Sequence, residues 1–157
     1  MNEEKTEYEL RFMERALELA REAAELDEVP VGAVIVRDGE IIAEAKNARE
    51  RGKCATHHAE ILAIEAACRA LGGWRLPGTT LYVSLEPCAM CAGAIINARI
   101  PNVVYAASDL RFGALGSLID LSEIPFNHKF RVVRGVMKED AENVISAYFR
   151  AKRVKIK

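Results

Sequence analysis

The sequence predicts a three-layer α/β domain, with helices packed on both faces of a mixed sheet of about five strands. Helix-period and strand-period segments alternate along the chain in the order αββαβαβ(β)α. An Asp38-Gly39 pair joins two short apolar runs, a strong hairpin signal. The 157 residues can bury one sizeable core, and 1–157 reads as a single domain without repeats, low-complexity segments or linkers.

Residues 7–26 repeat apolar side chains at Leu10, Met13, Leu17, Ala20 and Ala24, with acids and bases between them, which predicts an amphipathic helix. VGAVIVRDGEIIAEAKN follows as two strands around Asp38-Gly39. Residues 59–71, AEILAIEAACRAL, make a second helix stopped by Gly72-Gly73, and TTLYVSL at 79–85 is a strand. Pro87 opens a third helix through about Ala98, because proline suits the first helical position. NVVYAAS at 102–108 is another strand, and FRVVRGV at 130–136 is a candidate fifth. Residues 138–153 form the last helix, with Ala141, Val144, Ile145, Tyr148 and Phe149 on its inner face.

Half the residues are apolar and 29% are charged, the balance of a soluble globular protein. No apolar run reaches the length of a membrane span, so no membrane partner is expected. MNEEKTEYEL is acidic and lacks the basic and apolar regions of a signal peptide. The expected compartment is the cytoplasm, where Cys54, Cys68, Cys88 and Cys91 would be ligands or buried small groups rather than disulfides. The net charge of −1 hides a gradient: residues 1–28 carry ten acids against four bases, and residues 129–157 nine bases against three acids. The basic end suits a polyanion, or equally a solvated helix end whose cations complement the macrodipole.

EPCAMC, 86–91, is the most informative stretch. Cys88 and Cys91 are three apart, so on a helix both thiols face one side. In a first helical turn, free N–H groups and the dipole favour thiolates, the form that binds zinc. The spacing fits a redox pair, half of a structural zinc site, or part of a catalytic one. A redox pair belongs in a thioredoxin-like setting, which no other motif supports.

THHAEI, 56–61, lies at another predicted helix start and supplies a third ligand. A catalytic zinc keeps three protein ligands and an open position, whereas a structural zinc takes four. Cys54 or Cys68 would close the site. Cys68 sits mid-helix among Ile64, Ala67 and Leu71 and reads as core; Cys54 lies in a polar loop and stays open. Glu60 favours the open site, since activated water needs a carboxylate to take and return its proton. Residues two apart on a helix diverge by about 200°. His58 and Glu60 can therefore approach one metal only if the histidine stands at the irregular first turn, which selects His58 over His57.

His58-Ala59-Glu60 followed by Pro87-Cys88-Ala89-Met90-Cys91 resembles the signature of zinc-dependent nucleoside and nucleobase deaminases. EVPVGAV (28–34), Asn47, LYVSLEPCAMCAGAI (81–95), Asp109, GALGS (113–117), Asn127-His128 and YFRAKR (148–153) extend the likeness to bacterial tRNA adenosine deaminases of the cytidine/deoxycytidylate deaminase superfamily. The resemblance implies one zinc per chain, held by His58, Cys88 and Cys91, with Glu60 shuttling protons. Asn47 would hydrogen-bond the flipped base or its ribose, and Asp109 the nucleotide backbone beside it. Tyr148, Phe149, Arg150 and Arg153 would hold the anticodon stem-loop, and the family works as a homodimer. A backbone amide near Ala59 and a carbonyl in 84–87 would orient the base.

The implied reaction is hydrolytic deamination of adenosine to inosine at the wobble position of a tRNA, an arginine tRNA in most bacterial members. Three features depart from the family pattern. His57 replaces a small residue, Arg111-Phe112 replace a lysine and a smaller residue after Asp109, and Cys54 adds a thiol. These bear on which nucleotides fit. Two other activities share the motif: deamination of a free nucleobase or nucleoside of the guanine or cytosine type, and deamination of adenine in single-stranded DNA by an engineered relative. A non-catalytic zinc-stabilised RNA-binding module, with Cys54 as fourth ligand, is the remaining alternative.

Overall fold

Asp38 and Gly39 both take left-handed backbone angles (φ 51° and 76°), which turns the chain between β1 (Gly32–Arg37) and β2 (Glu40–Lys46) as the sequence predicts. The computed structural model describes residues 8–156; the acidic opening, including Glu7 at the predicted start of the first helix, and Lys157 lie outside the described residues. The other elements are α1 (Leu10–Glu25), α2 (Arg49–Gly52), α3 (Ala59–Leu71), β3 (Thr79–Leu85), α4 (Ala89–Ala98), β4 (Asn102–Ala107), β5 (Arg131–Val133) and α5 (Lys138–Ile156).

The five strands form one sheet in the order β2-β1-β3-β4-β5, and the fold is the expected three-layer α/β arrangement. β1 runs antiparallel to β2 and β3, while β3, β4 and β5 are parallel. Parallel neighbours need a crossover, and α4 supplies it between β3 and β4. Its start therefore stands at the carboxyl end of β3, the edge where open α/β sheets place ligands.

Alternate strand residues feed two cores. Ile35, Leu81, Val83, Val103 and Tyr105 pack with Ala59, Ala63 and Ile95. On the other face Val34, Val36, Tyr82 and Val104 meet Phe12, Met13, Leu17 and Ala141. A Cβ at Gly32 would stand 2.0 Å from the Ala16 carbonyl oxygen, so only glycine lets α1 lie this close to β1.

Several boundaries differ from the sequence expectation. In α1 the buried face includes Phe12, Ala16, Leu19 and Ala23, while Leu10 is 53% exposed. The four-residue α2 is too short to leave a helical period. The third helix begins at Ala89 rather than Pro87, because Cys88 is still extended (φ −76°, ψ 177°). β5 has three residues, since Gly135 and Met137 take positive φ and turn the chain into α5. Phe149 is exposed: among the described residues, Ala141 and Tyr148 are the ones that α5 buries. No described helix is long and apolar enough to cross a membrane.

Candidate metal centre

His58 is the N-cap of α3, and Cys88 is the N-cap of α4; both have extended backbone angles. Cys91 is the third helical residue of α4 and is fully buried. The geometry follows from the sheet. β3 delivers Cys88 to its carboxyl end, and α3 starts beside it because its alanine-rich face packs on β1 and β2.

The Nδ1 of His58 lies 3.5 Å from the Cys91 sulfur and 3.7 Å from the Cys88 sulfur, and all three ligand atoms fall within 4.8 Å of one another. A tetrahedral zinc bonded at about 2.3 Å to sulfur and about 2.0 Å to nitrogen sets N···S edges of about 3.5 Å. The three side chains fit such an ion. Cys54 is not part of this cluster among the described residues.

The three groups differ in how readily they lose a proton. The Cys88 thiol is pulled down to about 4, first by its hydrogen bond with Cys91 and further by His58, against the cost of burial. Cys91 is pushed up by its hydrogen bond to Cys88, then by burial and the nearby Glu60 charge. The His58 imidazole is raised, chiefly by its hydrogen bond with Cys88. One sulfur is thus a thiolate at neutral pH, the ligand form. Glu60, the second residue of α3 and 4% exposed, is raised by burial, which makes its carboxyl able to carry a proton nearer neutrality.

His57 sits elsewhere. A Cβ on Gly52 would stand 2.4 Å from its Nδ1, so the ring lies against Gly52, while its carbonyl accepts from the Ala48 amide at 3.0 Å. Cys54 makes a 3.3 Å contact with the Thr56 hydroxyl, and Cys68 packs against the core with its thiol 3.7 Å from the Trp74 carbonyl.

Two further segments carry residues that the sequence singles out, one from the end of β2 to the start of α3 and the other after β4. Asn47 follows β2 and is buried; its amide donates to the Val29 carbonyl, and its Oδ1 is buried without a partner among the described residues. Ala59, the first residue of α3, is fully buried beside Glu60. On the other side, Asp109 Oδ1 accepts from the amides of Arg111 and Phe112, so its carboxylate shapes its own loop. Arg111 and Phe112 project outward, and with Cys88, Met90 and Ile119 they line a cavity of ≈ 380 Å³. The Pro87 carbonyl accepts from Ala114.

Two buried glutamates, each within a stretch that carries the resemblance, have structural roles that local spacing does not reveal. Glu28, 1% exposed, accepts from the Glu50 and Arg51 amides and ties α2 to the end of α1. Glu86, 2% exposed, accepts from Asp109, Leu115 and Ser117. Their one signal is an acid at the edge of an apolar stretch, but the donors lie 22 to 31 residues away and leave no local pattern.

The residues of α5 divide. Tyr148 is buried, donates to Asp27 at 3.3 Å and accepts from Lys152, acting as a strut between α5 and the end of α1. Phe149 meets it edge-on with its ring 43% exposed, and Arg150 and Arg153 face solvent. The sequence grouping of these four therefore holds one structural and three accessible side chains.

Residues 7–153 match the MafB19-like deaminase family. The chain is 50% identical over 147 residues to the tRNA-specific adenosine deaminase of Bacillus subtilis (strain 168), covering 93% of this chain and 91% of that one. It superposes with TM-score 0.84 and 45% identity on a structure from work on A-to-I editing by tRNA:A34 deaminases at the wobble position, covering 87% of this chain and 99% of the other. A guanine deaminase from Nitrosomonas europaea is similar at 28% identity and TM-score 0.76, over 90% and 84% of the two chains. With a deaminase signature at its candidate metal centre and half its residues shared across nearly the full length of such an enzyme, the chain belongs to the family of bacterial tRNA-specific adenosine deaminases.

Proposed function

We propose that this chain hydrolyses adenosine to inosine at the wobble position of a tRNA anticodon, with an arginine tRNA as substrate. The observation that carries this reading is the convergence of His58 Nδ1 and the Cys88 and Cys91 sulfurs beside the buried carboxyl of Glu60. His58, Cys88 and Cys91 would hold one zinc ion. Bound there, zinc supplies the Lewis acidity that makes water a nucleophile near neutral pH.

Glu60 takes a proton from the attacking water and gives it to N1 of adenine, which makes C6 electrophilic. It then carries the second proton to the exocyclic amine, so adenosine and water become inosine and ammonia. Burial supports both transfers, since it raises the Glu60 carboxyl above its ordinary value and so makes it a better proton acceptor. Asn47 has an unpartnered buried oxygen to offer the base or its ribose. A backbone amide near Ala59 would orient the base, and Asp109, Arg111 and Phe112 would face the flanking nucleotides. Phe149, Arg150 and Arg153 would take the stem-loop, with Tyr148 fixing the helix that carries them.

An anticodon loop presents its bases unpaired, so little of the usual unstacking cost, about a few kcal/mol, remains. Leu118, Ile119, Ile124 and Phe126, each 43% exposed or more, offer an apolar surface on which two copies would pair.

The test is to incubate the zinc-loaded protein and its Glu60→Ala variant with total bacterial tRNA and score inosine at the wobble position. Inosine should form with wild type alone, the variant losing about 10³-fold in turnover while retaining zinc. Guanine consumed in place of tRNA adenosine would overturn the substrate, and normal turnover by the variant would overturn the role of Glu60.

A further inference from the structure

Glu86 follows β3 and stands two residues before Cys88, yet the metal cluster does not use it. Both of its oxygens point into the loop that follows β4. Oε1 accepts from the Asp109 amide at 3.1 Å and from the Ser117 hydroxyl. Oε2 accepts from the Leu115 amide at 3.0 Å and the Ser117 amide at 3.1 Å. A buried carboxylate is costly unless donors surround it, and here four donors from one loop do so.

The loop is moulded around that carboxylate. A Cβ on Gly113 would fall 2.3 Å from Glu86 Oε2 and 2.4 Å from the Asp109 carbonyl oxygen, so no larger residue fits without displacing one of them. The side chains the loop presents have little packing of their own: Leu110 is 80% and Phe112 68% exposed. Asp109 Oδ1 caps the turn that carries Arg111 and Phe112, and that turn is tied to the fold by the Glu86 bonds, by Tyr105 and Arg134 on the Leu115 carbonyl, and by the Ala114 amide bond to Pro87. Since Glu86 and Pro87 lead directly into Cys88, one rigid segment sets both the ligand and the wall that shares its cavity.

We infer that Glu86 is a positioning residue for substrate recognition: its buried carboxylate holds the 109–117 loop so that Arg111 and Phe112 read the nucleotides flanking the target base. This rests on the tRNA reading above. Neutral glutamine cannot replace it, because its amide NH₂ would face donors where only acceptors fit.

Three variants of the full zinc-loaded chain test this: Glu86→Gln, Ser117→Ala, which deletes one donor from the loop side, and Gly113→Ala. Kinetics would be run on anticodon stem-loops with the native and with substituted flanking nucleotides. Glu86→Gln should raise KM about tenfold, change kcat less than about twofold, and flatten the preference among flanking nucleotides, with zinc content unchanged. Ser117→Ala and Gly113→Ala should move KM in the same direction.

Amide hydrogen exchange gives a readout independent of activity. The Asp109, Leu115 and Ser117 amides should be protected in wild type and exchange faster in Glu86→Gln, while β3 amides do not change. A lower melting temperature with unaltered KM and flanking preference would make Glu86 merely structural, and loss of zinc would place its effect on Cys88; either overturns the proposal. If Glu86→Gln fails to fold, an unchanged KM in folded Ser117→Ala overturns it equally. A wild type that leaves the stem-loops unreacted would overturn the tRNA reading, and faster-exchanging loop amides in Glu86→Gln would still support the anchoring.

Discussion

His58, Cys88, Cys91 and Glu60 all lie at the starts of two helices, whereas Arg111 and Phe112 stand on a loop and Arg150 and Arg153 on the open side of α5. The helix starts are fixed by packing: Ala59, Ala63, Ala92 and Ile95 behind them have no exposed surface. The loop is held mainly by hydrogen bonds, to the Glu86 and Asp109 carboxylates and to Tyr105, Arg134 and Pro87, and the α5 arginines stand on a helix held by Ala141, Ile145 and the Tyr148 strut. Close-packed interiors have few alternative arrangements, whereas hydrogen-bonded loops can shift by fractions of an ångström. Changes at the centre should therefore act all or none, and changes at the walls should act by degrees.

The sharpest break of this contrast is between the adjacent histidines. His58→Ala removes one of three ligands and should reduce bound zinc from one per chain to almost none, with turnover lost in parallel. His57→Ala opens space over Gly52, away from the sulfurs, and should keep its full zinc. Metal content by elemental analysis checks both, and absorption of the cobalt-substituted protein separates two thiolate ligands from three. Equal zinc loss in the two variants would mean that the centre is not defined by the His58 position. A three-thiolate spectrum would bring Cys54 in and close the site.

A graded response is expected from the basic side of α5. Replacing Arg150 and Arg153 by alanine should raise KM for the stem-loop without altering kcat or zinc. The salt dependence of binding should fall by about 0.7 in log–log slope for each single-strand phosphate that the variant no longer neutralises. Measuring KM between low and moderate salt decides it. An unchanged slope would return these cations to the reading in which they only solvate a helix end.

The centre is far more legible in the sequence than its walls. Histidine, glutamate and the paired cysteines sit in two short runs whose spacing states their chemistry, and the irregular N-cap that His58 and Glu60 require is the one the backbone adopts. The hairpin is equally plain, because Asp38-Gly39 is a local turn signal. Helix α4 begins two residues late because Cys88, rather than Pro87, is where the chain enters the helix. Phe149 escapes the pattern because a helical period tolerates both 148 and 149 next to Ile145, and only contact with Asp27 selects Tyr148. Glu28 and Glu86 carry no periodicity at all. Their partners are backbone amides distant in sequence, which any residue type can supply, so only the folded chain identifies them.

The smallest effect belongs to a pair outside both regions. Arg15 on α1 donates through Nε and Nη2 to the two carboxylate oxygens of Glu44 on the outer strand β2, at 2.9 and 2.8 Å. The Arg15 guanidinium holds the Glu44 carboxyl below its ordinary value of 4.5, against a smaller cost of burial. A carboxyl whose pKa is depressed by folding adds stability above its unfolded pKa and loses it as pH falls through the folded value. The side chains are 31% and 40% exposed, so screening by solvent limits the contribution to less than about 1 kcal/mol. Glu44→Gln should thus lower the melting temperature by about 2 °C at neutral pH, and the difference from wild type should shrink as pH falls below 4.5 and through the lowered folded value. Zinc content and KM should stay as they are. A changed KM would show that the hairpin edge is coupled to the recognition walls, and the division between a packed centre and locally held walls would have to be redrawn to include β2.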